Sequence, residues 1–188
     1  ADLKASNMFK NPRLNAAAAG NDTETIRLMI DAGVDVNAAA ATGLTPLMLA
    51  AGQSNIRALK LMLARGANVN AVAERPFMYE FAPPKSGPTV TNTYTPLLMA
   101  AAFGSPEVIQ MLLDAGANVN ASESRKLTPL MLAVASDHQD PAVIRLLLAR
   151  GADPALKSAL GATAADWATK IGAPAAIEIL RAEQPRLP

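Results

Sequence analysis

The sequence predicts an all-α repeat solenoid, a single row of stacked helix pairs, and three observations carry that expectation. The phrase Thr-Pro-Leu, followed by an apolar stretch and Ala, occurs at 45–50, 95–100 and 128–133. A Gly follows each Thr after 21, 21 and 23 residues and opens a short phrase: Gly66-Ala67-Asn68-Val69-Asn70, Gly116-Ala117-Asn118-Val119-Asn120 and Gly151-Ala152-Asp153-Pro154-Ala155. Thr95 and Thr128 are 33 residues apart, a period at which each unit cannot bury its own faces, so that units stack.

Each element has a local physical reason. The hydroxyls of Thr45, Thr95 and Thr128 can cap free N–H groups at a helix start, and the Pro that follows lacks an N–H that would be unsatisfied there. A first helix therefore opens at each motif. Second helices follow with apolar clusters at matching places: Ile26, Leu28, Met29 and Ile30; Leu59, Leu61, Met62 and Leu63; Ile109, Met111, Leu112 and Leu113; Ile144, Leu146, Leu147 and Leu148. Stripes this wide must be covered by neighbours. The glycines at 33, 66, 116 and 151 then end the second helices, because a left-handed conformation costs little without a Cβ. Five helix pairs are expected, over about 12–33, 45–66, 95–116, 128–151 and 163–182, within a single domain spanning 1–188. The first opens with Asn11-Pro12 in place of Thr-Pro. The last opens at Thr163 and carries Arg181 where the others have Ile30, Leu63, Leu113 and Leu148, as suits an outer face with nothing stacked on it.

Phrase, order and period together resemble the ankyrin repeat family over almost the whole chain. The resemblance implies short inter-repeat hairpins and a protein-binding role. Two departures stand out. The family usually has His after Thr-Pro-Leu, hydrogen-bonding between repeats, where this chain has Met48, Leu98 and Met131; without that polar link, packing is expected to carry more of the stacking energy. The Asp common at the family's hairpin tip is missing, with Ala40 and Glu123 near that place. Both departures fit a natural, divergent array better than an idealised one.

The first five residues stand in the register of 67–71, as though the chain began just after a helix-ending Gly. The expectation is that another repeat or domain precedes Ala1, the alternative being a half-hairpin that caps the array. The net charge of +1, from 17 basic and 16 acidic side chains, creates no field to attract nucleic acid or anionic membranes. Uncharged stretches such as 36–56 contain Asn, Pro, Gly, Gln and Ser and are unsuited to membrane insertion. The chain has no Cys, hence no disulfide framework, thiolate zinc site or thiol redox chemistry. This leaves cytoplasmic and exported locations equally open.

Spacing fails at one place. Gly66 to Thr95 is 29 residues, against 12 for Gly33 to Thr45 and for Gly116 to Thr128, so 17 extra residues lie in one inter-repeat hairpin. Phe77, Tyr79 and Phe81 alternate, which puts three rings on one side of a strand. Residues 89–94 favour β structure and 83–88 supply a turn. The segment of about 72–94 therefore reads as one long β-hairpin finger. Four of the seven aromatic residues (Phe77, Tyr79, Phe81 and Tyr94) fall in this stretch, under an eighth of the chain. Aromatics dominate interface hot spots, so partner contact is the favoured expectation, with folding back onto the repeats or an irregular loop as alternatives.

The resemblance implies a second binding surface, the concave face lined by hairpin tips and first helices. Mapped onto this chain it holds Leu49, Met99 and Leu132, with Trp167 in the closing repeat, and Met8, Phe9, Glu123, Ser124 and Arg125 at tips. The competing reading is that Leu49, Met99 and Leu132 complete the packing between repeats. Chemistry is thinly represented. His138, the one histidine, lies in Ser136-Asp137-His138-Gln139-Asp140, and neighbours in one loop cannot easily converge as a triad. A metal held by His138 with Asp137 or Asp140 is a minor alternative to a solvated loop. No phosphate-binding or dinucleotide-binding Gly pattern is present, so no cofactor, catalytic or metal residue is assigned. The expected function is a non-catalytic protein–protein interaction module that binds through the concave face and the aromatic finger. The partner is a protein or another domain of the same chain. The alternative is a docking or regulatory region of a larger enzyme or electron-transfer protein. Self-assembly through an exposed repeat face is a third reading.

Overall fold

The computed structural model describes residues 12–40, 43–76 and 91–182. Within them lie α1 (Pro12–Ala19), α2 (Thr23–Asp31), α3 (Pro46–Gly52), α4 (Ile56–Ala64), α5 (Pro96–Phe103), α6 (Pro106–Asp114), α7 (Pro129–Ala135), α8 (Pro141–Ala149), α9 (Ala164–Ile171) and α10 (Pro174–Ala182). The odd-numbered helices pack each on the next in one layer, the even-numbered ones do so in a second, and each pair packs on itself. This is an all-α repeat solenoid.

Helix starts are capped as the Thr-Pro motif requires. The hydroxyls of Thr45, Thr95 and Thr128 accept the N–H groups of Met48, Leu98 and Met131 at 3.3, 3.2 and 3.3 Å. All three threonines are buried, so these bonds are shielded from water. Met48 also uses its sulfur, which accepts the Thr45 N–H at 3.5 Å. At the last pair Thr163 and Asp166 cap reciprocally: Asp166 Oδ2 accepts the Thr163 N–H at 2.8 Å and the Thr163 hydroxyl accepts the Asp166 N–H at 3.3 Å.

One continuous apolar core runs along the stack. Leu14, Leu47, Leu97 and Leu130 from the first helices meet Ile26, Leu59, Met62, Ile109, Leu112, Ile144 and Leu147 from the second, all essentially inaccessible. Burying each such side chain stabilises by roughly 1.5–3 kcal/mol. A smaller cluster of Leu44, Met48 and Ala73, with Leu49, Ala71, Tyr94 and Met99 packed against it, lies apart from the main core.

Polar bonds also join the repeats, which corrects the expectation that loss of the family His leaves stacking to packing. Asn37 Oδ1 accepts the Asn68 N–H at 2.8 Å, Asn70 Oδ1 accepts the Asn118 N–H at 2.8 Å, and Asn120 Oδ1 accepts the Asp153 N–H at 2.9 Å. The same three side chains donate Nδ2 to the carbonyls of Gly66, Gly116 and Gly151 at 3.5, 3.0 and 3.1 Å. Two residues earlier, Asp35, Asn68 and Asn118 accept the N–H groups of Asn37, Asn70 and Asn120, which holds each ladder residue in a tight turn. The ladder stops at Ala155, which follows Asp153 where an Asn would continue it. At the opposite side of the first junction, Asn55 Nδ2 donates to the carbonyls of Ala18 and Ala19 at 2.8 and 2.7 Å.

Outer ion pairs mark alternate junctions. Asp31 meets Arg65 at 2.5 Å and Asp114 meets Arg150 at 2.8 Å. At the junction between them the corresponding residues are Ala64 and Ala115, so the charges are missing where the long insertion departs.

That insertion has a defined root. Strand β1 (Ala73–Pro76) pairs antiparallel with β2 (Thr91–Tyr94), Ala73 opposite Tyr94 and Pro76 opposite Thr91. Residues 77–90 lie outside the described residues, and with them Phe77, Tyr79, Phe81 and the long finger expected from the sequence.

Candidate partner-binding surface

Three of the nominated residues come together at the hairpin root. Tyr94, Leu49 and Met99 all pack around Leu44, Met48 and Ala73. The Met99 side chain reaches the preceding repeat at Gly52, where an added Cβ would stand 3.2 Å from its Cε. Each of the three is half-buried, so each contributes to packing and presents a remaining edge to solvent. Leu132, one repeat on, is half-buried against the main core instead. Phe9 and Met8 lie outside the described residues. Trp167 is half-buried against the core with its indole N–H unpartnered.

Arg125 sits on a hairpin built around Glu123, whose carboxylate is buried. Glu123 Oε1 accepts the N–H groups of Arg125 and Leu127 at 2.8 and 3.1 Å, and Oε2 accepts Arg125 Nε at 3.2 Å. Glu123 is thus a turn organiser rather than a tip contact, and it fixes the base of the Arg125 side chain while about half of that side chain remains exposed. Neighbouring hairpins are laced together. The Thr93 N–H of β2 donates to Ser124 Oγ at 3.1 Å, and the Ala159 N–H donates to the Arg125 carbonyl at 2.7 Å. The insertion root, the Arg125 hairpin and the hairpin before α9 therefore form one connected edge.

His138 faces no assembled triad. It lines a cavity of about 190 Å³ with Ser105, Ser136 and Asp140, but the last two are committed to backbone. Ser136 Oγ donates to the Ala133 carbonyl at 2.9 Å and accepts the Gln139 N–H at 3.3 Å, and Asp140 Oδ1 accepts the Ala142 N–H at 2.8 Å. Among the described residues no three of His, Cys, Asp and Glu are grouped to hold a metal ion, and no helix is long and apolar enough to cross a membrane. The same cavity is flanked by Phe103, an exposed aromatic at the end of α5. Sequence reading passed over Phe103; its signal was an aromatic at the position held by Gln53 and Ser136 in the adjacent repeats.

Three carboxylates on the surface ionise below the usual carboxylate range. Asp22 is held down by the Thr25 hydroxyl and N–H, Asp114 by the Gln110 amide and then Arg150, and Asp166 by the Thr163 N–H and hydroxyl. All three serve caps or repeat junctions, so none marks a reactive site.

The stacked pairs, their Thr-Pro caps and their Gly stops coincide with a family-model match described as ankyrin repeats in three copies, over residues 2–73, 76–158 and 97–185. The chain belongs to the ankyrin repeat family. Ankyrin repeats are in general protein–protein interaction modules, typically without catalytic activity. Comparison with curated proteins gave no match. In this ankyrin array the first-helix layer and the hairpin edge meet at the β1–β2 root, where Leu49, Met99 and Tyr94 are gathered.

Proposed function

We propose that this chain is a non-catalytic recognition module that binds a protein through its first-helix and hairpin face, with the insertion between β1 and β2 as the principal contact. The observation that carries the reading is the anchoring of the root. Tyr94 packs into the cluster under Leu49 and Met99, and Thr93 is bonded to the next hairpin. An aromatic segment hung from an anchored root loses less freedom on binding than one hung from a loose loop. Phe77, Tyr79 and Phe81 supply the aromatic contact and Arg125 a cation on the same edge, the residue types that dominate interface hot spots. Leu49, Met99 and Leu132 offer an adaptable apolar row better suited to a protein segment than to a charged small molecule.

The test is capture from the native host's lysate with the parent chain and with a variant lacking residues 74–90, which restores the 12-residue spacing of the other junctions. Circular dichroism first establishes that both fold. Capture of a protein by the parent and not by the deletion supports the reading, and alanine at Phe77, Tyr79 and Phe81 should then reproduce the loss. Equal capture by both removes the insertion from the interface and leaves the first-helix face. Capture by neither overturns recognition in trans and favours docking against another domain of the same polypeptide.

A further inference from the structure

The second helices reveal which side of each repeat faces its predecessor. Counted from the Gly that ends each pair, Leu28, Leu61, Met111 and Leu146 share one position, and Ile30, Leu63, Leu113 and Leu148 share the position two residues later. In α10 these places are taken by Ile179 and Arg181. Positions two apart on a helix are about 200° apart, on opposite sides.

Exposure assigns the two sides. Leu28 is 55% exposed, whereas Leu61, Met111 and Leu146 are partly buried against the core and Ile179 is buried. This position is bare in the first pair alone, so its cover in every other pair is the preceding pair. The later position behaves in the opposite sense: Ile30, Leu63, Leu113 and Leu148 are all packed against the core, and Arg181 of the last pair is exposed. That position faces the following pair, and there the array ends on a charge.

We propose that the Leu28 side of α1–α2 is a stacking surface occupied by a further helix pair of the same polypeptide, N-terminal to Ala1, whose second helix presents an apolar residue in the Ile30 position. The interface is the one that already joins the four later pairs, continued by one step. The family match begins at residue 2, well before α1 opens at Pro12, so the chain enters α1 through a segment that reads as an inter-repeat connection; in the later repeats such a segment arrives from the second helix of a preceding pair. A second copy of this chain stacked head to tail is a poor occupant, because it would press Arg181 against Leu28 and strip the guanidinium of water without a partner. This inference stands apart from the partner-binding proposal, since it concerns the opposite end of the first repeat from the insertion.

The test uses the polypeptide as its gene encodes it and compares Leu28→Lys with Leu61→Lys by thermal unfolding. The proposal expects both to lower the Tm, each by roughly 4–8 °C, because both place an ammonium in a repeat junction. If either fails to fold, Leu28→Ala and Leu61→Ala read the same difference from their urea midpoints. A Leu28 variant that melts within about 1 °C of the parent while its Leu61 counterpart falls would overturn the proposal. So would a reading frame that encodes no helix pair before Ala1.

Discussion

Asn70 Oδ1 accepts the Asn118 backbone N–H at 2.8 Å across 48 residues of chain, and the same side chain donates Nδ2 to the Gly116 carbonyl at 3.0 Å. The position of this contact explains how the array tolerates its insertion. The extra residues leave after Asn70 and return before Thr95, so the polar ladder on one side and the helix cap on the other both stay in register. β1 and β2 then pair to close the gap between them.

Replacing Asn70 by Ala removes both bonds at once. Each net hydrogen bond is worth about 0.5–1.5 kcal/mol, and exposure places these at the low end, so Asn70→Ala should cost about 1 kcal/mol in urea melts. Asn70→Asp keeps the acceptor and loses the donor, and should cost about half as much. A loss below about 0.3 kcal/mol for Asn70→Ala would show that water replaces the ladder without penalty.

Gly104 and Gly116 are required for different reasons, and alanine separates them. At Gly104, where φ is −92°, any residue fits the backbone, but an added Cβ would stand 2.8 Å from the Ala51 carbonyl oxygen of the preceding repeat and 2.9 Å from Ala100 Cα. Both are backbone atoms, so the repeats must move apart, at a cost of about 1–3 kcal/mol. At Gly116 φ is +87° and nothing lies within 4 Å of a Cβ. There the penalty is conformational alone, about 1 kcal/mol. Gly116→Asn, which tolerates the left-handed region better, should recover part of that loss, whereas Gly104→Asn should be worse than Gly104→Ala. Equal recovery at both positions would refute the distinction.

Much of this fold was legible because its repeats are short and local. Thr-Pro and Gly mark helix ends by chemistry confined to a few residues, so caps at Thr45, Thr95 and Thr128 could be read directly. The Asn ladder was harder. Asn70 and Asn120 were visible as part of a recurring phrase, but their partners lie in the next repeat, and a long-range bond leaves no local trace beyond the recurrence itself. Glu123 misled for a similar reason. A charged residue at a hairpin reads as an exposed tip, and only the folded turn shows three donors converging on its carboxylate. Tyr94 was grouped with the finger by sequence position, yet as the last residue of β2 it points into the cluster beneath the root.

Leu112, fully buried in the middle repeat, has counterparts Met62 and Leu147 at the same place in adjacent second helices. Truncation to Ala leaves a cavity walled by helices from neighbouring pairs, which cannot collapse without shifting a repeat. Leu112→Ala should therefore cost about 2–5 kcal/mol. A loss under about 1 kcal/mol in denaturant melts would mean that the second-helix layer is not the shared core described above.

The junction beside the insertion lacks the outer ion pair that its neighbours carry. Asp31–Arg65 and Asp114–Arg150 set the geometry, and the double substitution Ala64→Asp with Ala115→Arg reproduces it between the second and third pairs. The gain should be small, within about 0–1 kcal/mol, because the site is exposed. It should shrink as salt is raised. Coupling is read from the double-mutant cycle, and a pair no better than the sum of its single substitutions would show that the second junction holds its outer helices in a different alignment.

Acid should loosen the array through its caps and junctions. Asp22, Asp114 and Asp166 each ionise more readily folded than unfolded. A depressed folded pKa contributes stability that is fully present above the unfolded value, about pH 3.9 for Asp, and is lost as pH falls through the lower folded value. The Tm should therefore decline on acidification from about pH 5 to about pH 2.5, with no matching change between about pH 5 and pH 7 from these groups. Replacing all three by Asn keeps a side-chain acceptor while removing the proton equilibrium, so the triple variant should start lower at neutral pH and fall less steeply in acid. Parallel curves for parent and variant would move the acid sensitivity to other carboxylates, the buried Glu123 first among them.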